Sequence, residues 1–294
     1  MKRLIIVSGL SGSGKSVALN VLEDLGYFCI DNLPVSLLDH LTADVLADPH
    51  SGSEKVAIGI DARNKSADLN ILGEQMSRLR ARGIHIELLY LATNDDVLLK
   101  RYGETRRKHP LADDDSSLRE AIARERVKLA PVTNLADLII DTSRTSVYEL
   151  RDLVRERVAA RDVHKLSIQI ESFGYKHGLP PDADYVFDVR CLPNPYWDAS
   201  LRRQTGLDAA VIQFLSDHEI VEAMHTSIVT FCKQWLPQFE NLSRSYLTIA
   251  IGCTGGQHRS VYMAERVAAT LRAYDTGIKV RHHELMSGAG PLYT

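Results

Sequence analysis

An α/β fold is what this sequence predicts, and three observations predict it. Short apolar runs alternate with segments of helical spacing along the first half of the chain. The first run leads into Gly-Leu-Ser-Gly-Ser-Gly-Lys-Ser at residues 9–16. A second strand, glycine loop and helix recur at residues 247–267. Such alternation yields a mostly parallel sheet with helices on both faces. A length of 294 residues, 45% hydrophobic and 25% charged, suits two domains with ordinary cores. The formal net charge of −3 carries no global signature of nucleic-acid binding and leaves room for a local basic patch. Cys29, Cys191, Cys232 and Cys253 are scattered without zinc-like spacing and read as free thiols of a reducing compartment. No apolar run has the length of a membrane span and no signal peptide precedes the first strand, so the expectation is a cytoplasmic protein without a membrane partner.

The first strand is read at residues 4–7, wholly apolar as a buried parallel strand should be. Residues 9–16 match G-x-x-x-x-G-K-[ST] in full, and residues 16–23 continue at helical spacing. Gly9, Gly12 and Gly14 permit close backbone approach, so the loop Gly9, Leu10, Ser11, Gly12, Ser13, Gly14 can surround phosphate oxygens with N–H groups. The helix start adds partial positive charge. Lys15 can reach the β/γ phosphates of a nucleoside triphosphate, and the Ser16 hydroxyl can bind Mg²⁺.

Further strands are read at 27–30, 56–60, 86–91 and 138–140, with helices at 37–46, 69–82, 97–102, 118–129 and 147–158. Asp31-Asn32 closes the second strand. An acid there acts as base or binds the acceptor in small-molecule kinases, and an Asx turn into Pro34 accounts for it equally well. Asp61 closes the third strand, where P-loop proteins hold Mg²⁺ or its water, so it joins Lys15 as a catalytic candidate and Ser16 as a metal candidate. Ala62, Arg63 and Asn64 extend into the same crevice. Arg101, Arg106, Arg107 and Lys108, with Glu104 the one acid among them, are similar to the lid of nucleotide kinases, where arginines neutralise transferring phosphate. Asp141-Thr142-Ser143 follows the fifth strand, in a loop that in kinase-like P-loop folds often passes near the base of the nucleotide; it also makes a good cap for the helix at 147–158, and the cap is the favoured reading.

A junction near residue 160 divides a P-loop domain, 1–160, from a second α/β domain, 161–294, with strands at 166–170, 185–189 and 247–251 and loops rich in Gly, Pro and Asn. After the last of these strands comes Gly252-Cys253-Thr254-Gly255-Gly256-Gln257-His258-Arg259-Ser260, then a helix at 261–267. Cys253 and Arg259 satisfy C-x₅-R-[ST], the loop of cysteine-dependent phosphatases, in which backbone N–H groups wrap a phosphate and the arginine chelates it. Gly252 stands where tyrosine phosphatases usually carry histidine, and no general-acid loop stands out. The reading therefore favours phosphate binding without thiol chemistry, with a phosphatase and a structural turn as alternatives. Cys253, Thr254, Gly255, Gly256, His258, Arg259 and Ser260 are the candidate metabolite ligands, and His177 and Arg190 from the polar stretches 173–178 and 188–190 join them.

Taken in order, residues 9–16, Asp61–Asn64, 105–110, 171–178, 185–190 and 252–260 resemble the motifs of the RapZ/YvcJ family of bacterial P-loop nucleotide-binding proteins, nearly end to end. The resemblance implies a kinase-like N-terminal domain that binds ATP at the P-loop and GTP at Asp61–Asn64 and hydrolyses both slowly. It implies a C-terminal domain similar to a sugar-phosphate-binding part of phosphofructokinase, which senses glucosamine-6-phosphate and binds small RNA for an endoribonuclease. RNA-binding members end in a Lys/Arg-rich tail, whereas residues 284–294 here contain neither residue, so metabolite binding is better supported than RNA binding. The expected protein is a homo-oligomeric regulator. Its rivals are a small-molecule kinase with Asp31 as base and a non-enzymatic RNA adapter.

Overall fold

The apolar run that opens the chain becomes strand β1 (Arg3–Gly9), with all seven residues buried, as a central parallel strand covered on both faces must be. The computed structural model describes residues 2–44, 54–105, 108–113, 116–159, 166–241, 246–273 and 277–286. The chain divides into two compact units, Met1–Arg161 and Asp162–Thr294.

In the first unit, α1 (Lys15–Asp24) buries Ala18, Leu19, Val21 and Leu22, one face at helical spacing. β2 (Phe28–Ile30), α2 (Leu38–Asp44), β3 (Lys55–Gly59), α3 (Ser66–Ala81), β4 (His85–Ala92), α4 (Asp95–Thr105), α5 (Leu118–Thr133), β5 (Leu138–Asp141) and α6 (Val147–Val154) follow. The strands are all parallel in the order β2-β3-β1-β4-β5. β1 sits at the centre, so the glycine loop opens at the carboxyl edge of the sheet, where open α/β sheets bind ligands. Leu4, Ile6, Ile58 and Leu88 of the strands share one core with Leu69 and Leu72 of α3 and Leu129 of α5. The helix expected over 37–46 begins with a 3₁₀ turn, Val35–Leu37, and its last two residues lie outside the described ones. The helix expected to end at 158 is α-helical only to Val154 and then widens into a π turn, Arg155–Ala159.

The second unit contains β6 (Ser167–Gly174), β7 (Tyr185–Asp188), α7 (Ala209–Ser216), α8 (Glu219–Asn241), β8 (Tyr246–Cys253), α9 (Arg259–Leu271), β9 (Lys279–His282) and α10 (His283–Met286). Its four strands are parallel in the order β7-β8-β6-β9, and β6 and β8 are buried along their whole length. Two features differ from expectation. The region between β7 and β8, read as loops, holds α7 and the 23-residue α8. Buried Val221, His225, Ile228, Val229 and Cys232 form its inward stripe at helical spacing, and Pro237 lies in the closing turns beyond it. The basic segment just before residues 284–294, Lys279–His282, is strand β9, hydrogen-bonded to the free edge of β6. Among the described residues no helix is long and apolar enough to cross a membrane.

Candidate functional site

The glycine loop leaves β1 with positive φ at Gly9, Gly12 and Gly14 (145°, 90° and 107°). At Gly14 a Cβ would lie 2.6 Å from Leu150 Cδ2 of α6, so conformation and space both exclude a side chain there. Leu10 and Ser13 are buried, Ser11 and Lys15 half-buried, and Gly12 and Ser16 exposed. The Lys15 ammonium donates to the Gly9 and Leu10 carbonyls at 2.8 and 3.1 Å. Burial holds it below the usual lysine range, against the carboxylates of Glu125, Asp61 and Asp31.

Residues far away in the chain brace the loop. Thr142 Oγ1 donates to Ser13 O at 2.9 Å, and Arg101 donates to Gly12 O at 2.9 Å and Thr142 O at 2.7 Å. Thr142 is thus a brace of the phosphate loop rather than a cap. The cap of α6 is Ser146, in a reciprocal box with Glu149. Arg101, grouped with the lid arginines from sequence, spends its guanidinium on carbonyls. Arg106 and Arg107 lie outside the described residues.

The sequence reading missed Glu125 of α5. Its carboxylate accepts from Ser11 N at 3.0 Å and Ser11 Oγ at 2.7 Å, and lies 3.0 Å from His109 Nε2. Burial pushes the carboxyl upward, but bonds from His109 and Ser11 and the charge of Lys15 outweigh it and hold it below the usual range. A signal was present: Ala121, Ile122, Leu129 and Val132 form the buried stripe of α5, and Glu125 is the one acid within it.

Asp61 is buried beyond the end of β3 and accepts from Arg63 N at 2.9 Å and Arg63 Nε at 2.8 Å. Arg63 is itself half-exposed. Ala62 is buried. Asn64 spends its side chain on backbone: its Oδ1 accepts from Val35 N at 2.7 Å, and its Nδ2 donates to Leu33 O and Asp61 O at 3.3 Å each. Asp31 is exposed, and a Cβ on Gly59 would come within 2.5 Å of its Oδ1, which puts it at the same strand ends. Among the described residues no group of three or more His, Cys, Asp or Glu side chains could hold a metal by itself. Ser16 and Asp61 fit the other Mg²⁺ arrangement, in which one or two side chains share the ion with phosphate oxygens.

In the second unit the expected residues come together. Gly174, at the end of β6, is pressed against the loop: a Cβ there would lie 2.8 Å from Gly255 C and 3.0 Å from Gly256 N. Lys176 N donates to Thr254 O at 3.2 Å. Cys253 is buried, its sulfur accepting from Gly256 N at 3.2 Å and lying 3.1 Å from Ser260 Oγ, so it closes the loop from inside. Thr254 is exposed and Gly255 half-buried. Arg259 Nη1 donates to Arg190 O at 2.8 Å and Leu192 O at 3.0 Å, fastening the strand that leaves β7. Arg190 stacks 4.0 Å over the Tyr175 ring and pairs with Asp188 at 2.7 Å. His258 is buried, and burial holds its imidazole below the usual range against the backbone carbonyls of residues 201, 202 and 204. His177 is exposed, 4.0 Å from Glu284 Oε1. Glu284 of α10, not foreseen, packs its carboxylate against Gly256.

The family described as the RapZ-like N-terminal domain matches residues 2–162, and the RapZ C-terminal domain matches residues 166–286. A protein called nucleotide-binding protein from Hahella chejuensis is 51% identical over 283 residues, 96% of this chain and 99% of its own. One of the same description from Halorhodospira halophila is 52% identical over 283 residues, 96% of this chain and 98% of its own. Among solved structures, a shikimate kinase from Bacteroides thetaiotaomicron covers 52% of this chain and 96% of that one, at 18% identity and a TM-score of 0.34.

Proposed function

The chain belongs to the RapZ-like family of nucleotide-binding proteins, with a P-loop kinase-like first unit, and we propose that it is a regulator. In this reading the first unit binds ATP or GTP with Mg²⁺ and hydrolyses it slowly. The second unit binds a phosphorylated metabolite, with glucosamine-6-phosphate the foremost candidate, and the protein works in the cytoplasm.

The observation that carries the reading is the loop itself: three glycines at positive φ ahead of a helix start, with the Lys15 ammonium lying along it. Lys15 exchanges the Gly9 and Leu10 carbonyls for β/γ oxygens, and N–H groups of the loop and helix start, such as those of Gly14, Lys15 and Ser16, hold the β-phosphate. Ser16 and Asp61 would hold Mg²⁺, whose chemistry is to neutralise charge on the β and γ oxygens. Slow turnover is supported by the fate of two arginines near the loop: Arg101 is engaged by carbonyls and Arg63 by Asp61. The second unit's reading is supported by the Thr254–Ser260 loop at the start of α9, with Arg190, His177 and Arg259 around it. Small-RNA binding gains less support, because Lys279 and Arg281 belong to β9 rather than to a free tail. A second reading, a small-molecule kinase, is favoured by one feature, the exposed Asp31 beside Gly59. Rapid phosphate transfer to a small hydroxyl acceptor, abolished in Asp31→Asn, would select it.

Thermal unfolding of the full chain tests the division of labour. Mg-ATP or Mg-GTP should raise the Tm of the wild type, and Lys15→Ala should lose that shift while keeping the one from glucosamine-6-phosphate. Arg259→Ala should do the reverse. A nucleotide shift undiminished in Lys15→Ala would overturn the assignment of the loop.

A further inference from the structure

We propose that Glu125, held in place by His109, is a positioning residue of the phosphate loop: it fixes Ser11, and through it the loop backbone, in the conformation that receives nucleotide phosphates. The inference rests on the nucleotide reading of the first unit.

A carboxylate in the core-facing stripe of α5 is costly unless its lone pairs are met. Neither the Glu125 nor the His109 side chain has exposed surface (0% each). Oε1 accepts from Ser11 Oγ at 2.7 Å, and Oε2 accepts from Ser11 N at 3.0 Å. The imidazole is the third donor, and its tautomer is determined: Nδ1 accepts from Leu111 N at 3.1 Å, so the hydrogen sits on Nε2, 3.0 Å from Oε2. The Tyr102 ring packs against the imidazole, with 5.3 Å between centroids. Each of the three groups hydrogen-bonded to the carboxylate therefore donates to it.

The consequence for the loop is mechanical. Its near end is tied at Ser11 by Glu125, and its far end at Gly12 O and Ser13 O by Arg101 and Thr142. A glycine-rich loop left free would lose conformational entropy each time it closed on a phosphate, and a loop ordered beforehand does not. The Ser11 N–H, bonded to Glu125, is withdrawn from ligand binding, as is the Ser13 N–H, which donates to Leu10 O at 3.0 Å, so the phosphate donors are among the other N–H groups that follow Ser11.

The test uses the full chain, with dissociation constants for Mg-ATP, Mg-ADP and inorganic pyrophosphate measured by calorimetry, alongside the ligand-free Tm and the steady-state kcat. Glu125→Gln keeps the brace: its amide oxygen can serve Ser11 N and His109, its NH₂ takes the other place, and the Ser11 hydroxyl turns to accept. Glu125→Ala removes the brace. The expected result is that Glu125→Ala binds all three ligands about tenfold more weakly, in similar ratio, with kcat changed less, while Glu125→Gln stays within about threefold of wild type. His109→Ala should fall between them, and His109→Gln, which restores a donor at the Nε2 position, should recover most of the loss. That pair reads the same brace if Glu125→Ala does not fold. Wild-type affinities in folded Glu125→Ala, even with a lowered Tm, would reduce Glu125 to a structural group and overturn the proposal. Glu125→Gln binding as weakly as Glu125→Ala would overturn it too, since charge and not position would then be what matters. Wild type that binds none of the three ligands would instead overturn the nucleotide reading on which the proposal stands.

Discussion

Asn64 illustrates how a residue can sit in a binding motif and serve the fold. Its amide meets Val35 N, Leu33 O and Asp61 O, and the residue is 7% exposed. Removing it leaves the buried Val35 N–H without its acceptor, which costs about 1–3 kcal/mol. Asn64→Ala should therefore lower the stability of the first unit by about that amount in denaturant unfolding, with nucleotide affinity of the folded protein changed less than about threefold. Unchanged stability with GTP binding lost would return Asn64 to the ligand-facing role its motif implies. Glu125 is the opposite case, a residue outside every motif that contacts the loop directly. Motif reading finds residues whose neighbours in sequence are their neighbours in space. Ser11 and Glu125 are 114 positions apart, and the only local trace of their contact is one acid on an apolar stripe.

Strands and the two glycine loops were readable because their signals are contiguous: an apolar run, glycines, then helical spacing. β8 and α9 appear where the sequence placed a second strand-loop-helix unit. What the sequence did not reveal is how tightly β6 presses on that loop. Gly174 has ordinary φ (−105°), so its need to be glycine is purely one of space. A methyl at Gly174 would sit 2.8 Å from Gly255 C and 3.0 Å from Gly256 N, both backbone atoms that cannot swing aside. Gly174→Ala should displace the 254–258 segment and weaken glucosamine-6-phosphate binding by about tenfold or more, a loss of about 1.4 kcal/mol. Nucleotide binding in the first unit should be unaffected. Sugar-phosphate affinity equal to wild type would mean the loop does not hold the phosphate. Helix α8 and strand β9 went unread for different reasons. The buried stripe of α8 at 221–232 was legible at helical spacing and was overlooked, whereas β9 is a strand only because β6 offers it an edge.

At the scale of a whole unit, a buried titrating cluster ties stability to pH. Burial and the charge of Glu171 push Asp182 up to about 7 from its ordinary value of 3.8. Burial pulls His283 down, but its bond to Glu171 at 3.0 Å prevails and raises it. Burial pushes Glu171 up, but His283, Arg281 and Gln169 hold it below the usual range. Between pH about 4 and about 7 the folded state binds a proton at Asp182 that the unfolded chain does not, so this stabilisation fades as pH rises through 7. His283 has the same sign: its contribution is complete below its ordinary value of 6.5 and is lost as pH rises through its higher folded value. Glu171 has the opposite sign and acts only at lower pH, where its stabilisation is lost on acidification. Asp182 and His283 therefore favour the fold at pH about 5 over pH about 8, while His258 and His282, held below the usual imidazole range by burial, oppose them; in denaturant unfolding the wild type should accordingly lose stability relative to Asp182→Asn between pH about 5 and pH about 8. The chain's two tryptophans, Trp197 and Trp235, both lie in this unit, so their fluorescence reports its unfolding alone. A wild type that loses no stability relative to Asp182→Asn from pH about 5 to about 8 would contradict the cluster's assignment. By itself the sequence determined the α/β class, the parallel first sheet, both glycine loops and the family, because each is written in short contiguous patterns or in their order along the chain. Only the tertiary structure decided which side chains serve those loops and which serve the fold: Glu125, His109, Thr142 and Arg101 at the first loop, Glu284 against Gly256 at the second, Asn64 on backbone. Hydrogen bonds and burial depend on distances between atoms, and folding sets those distances without regard to separation along the chain.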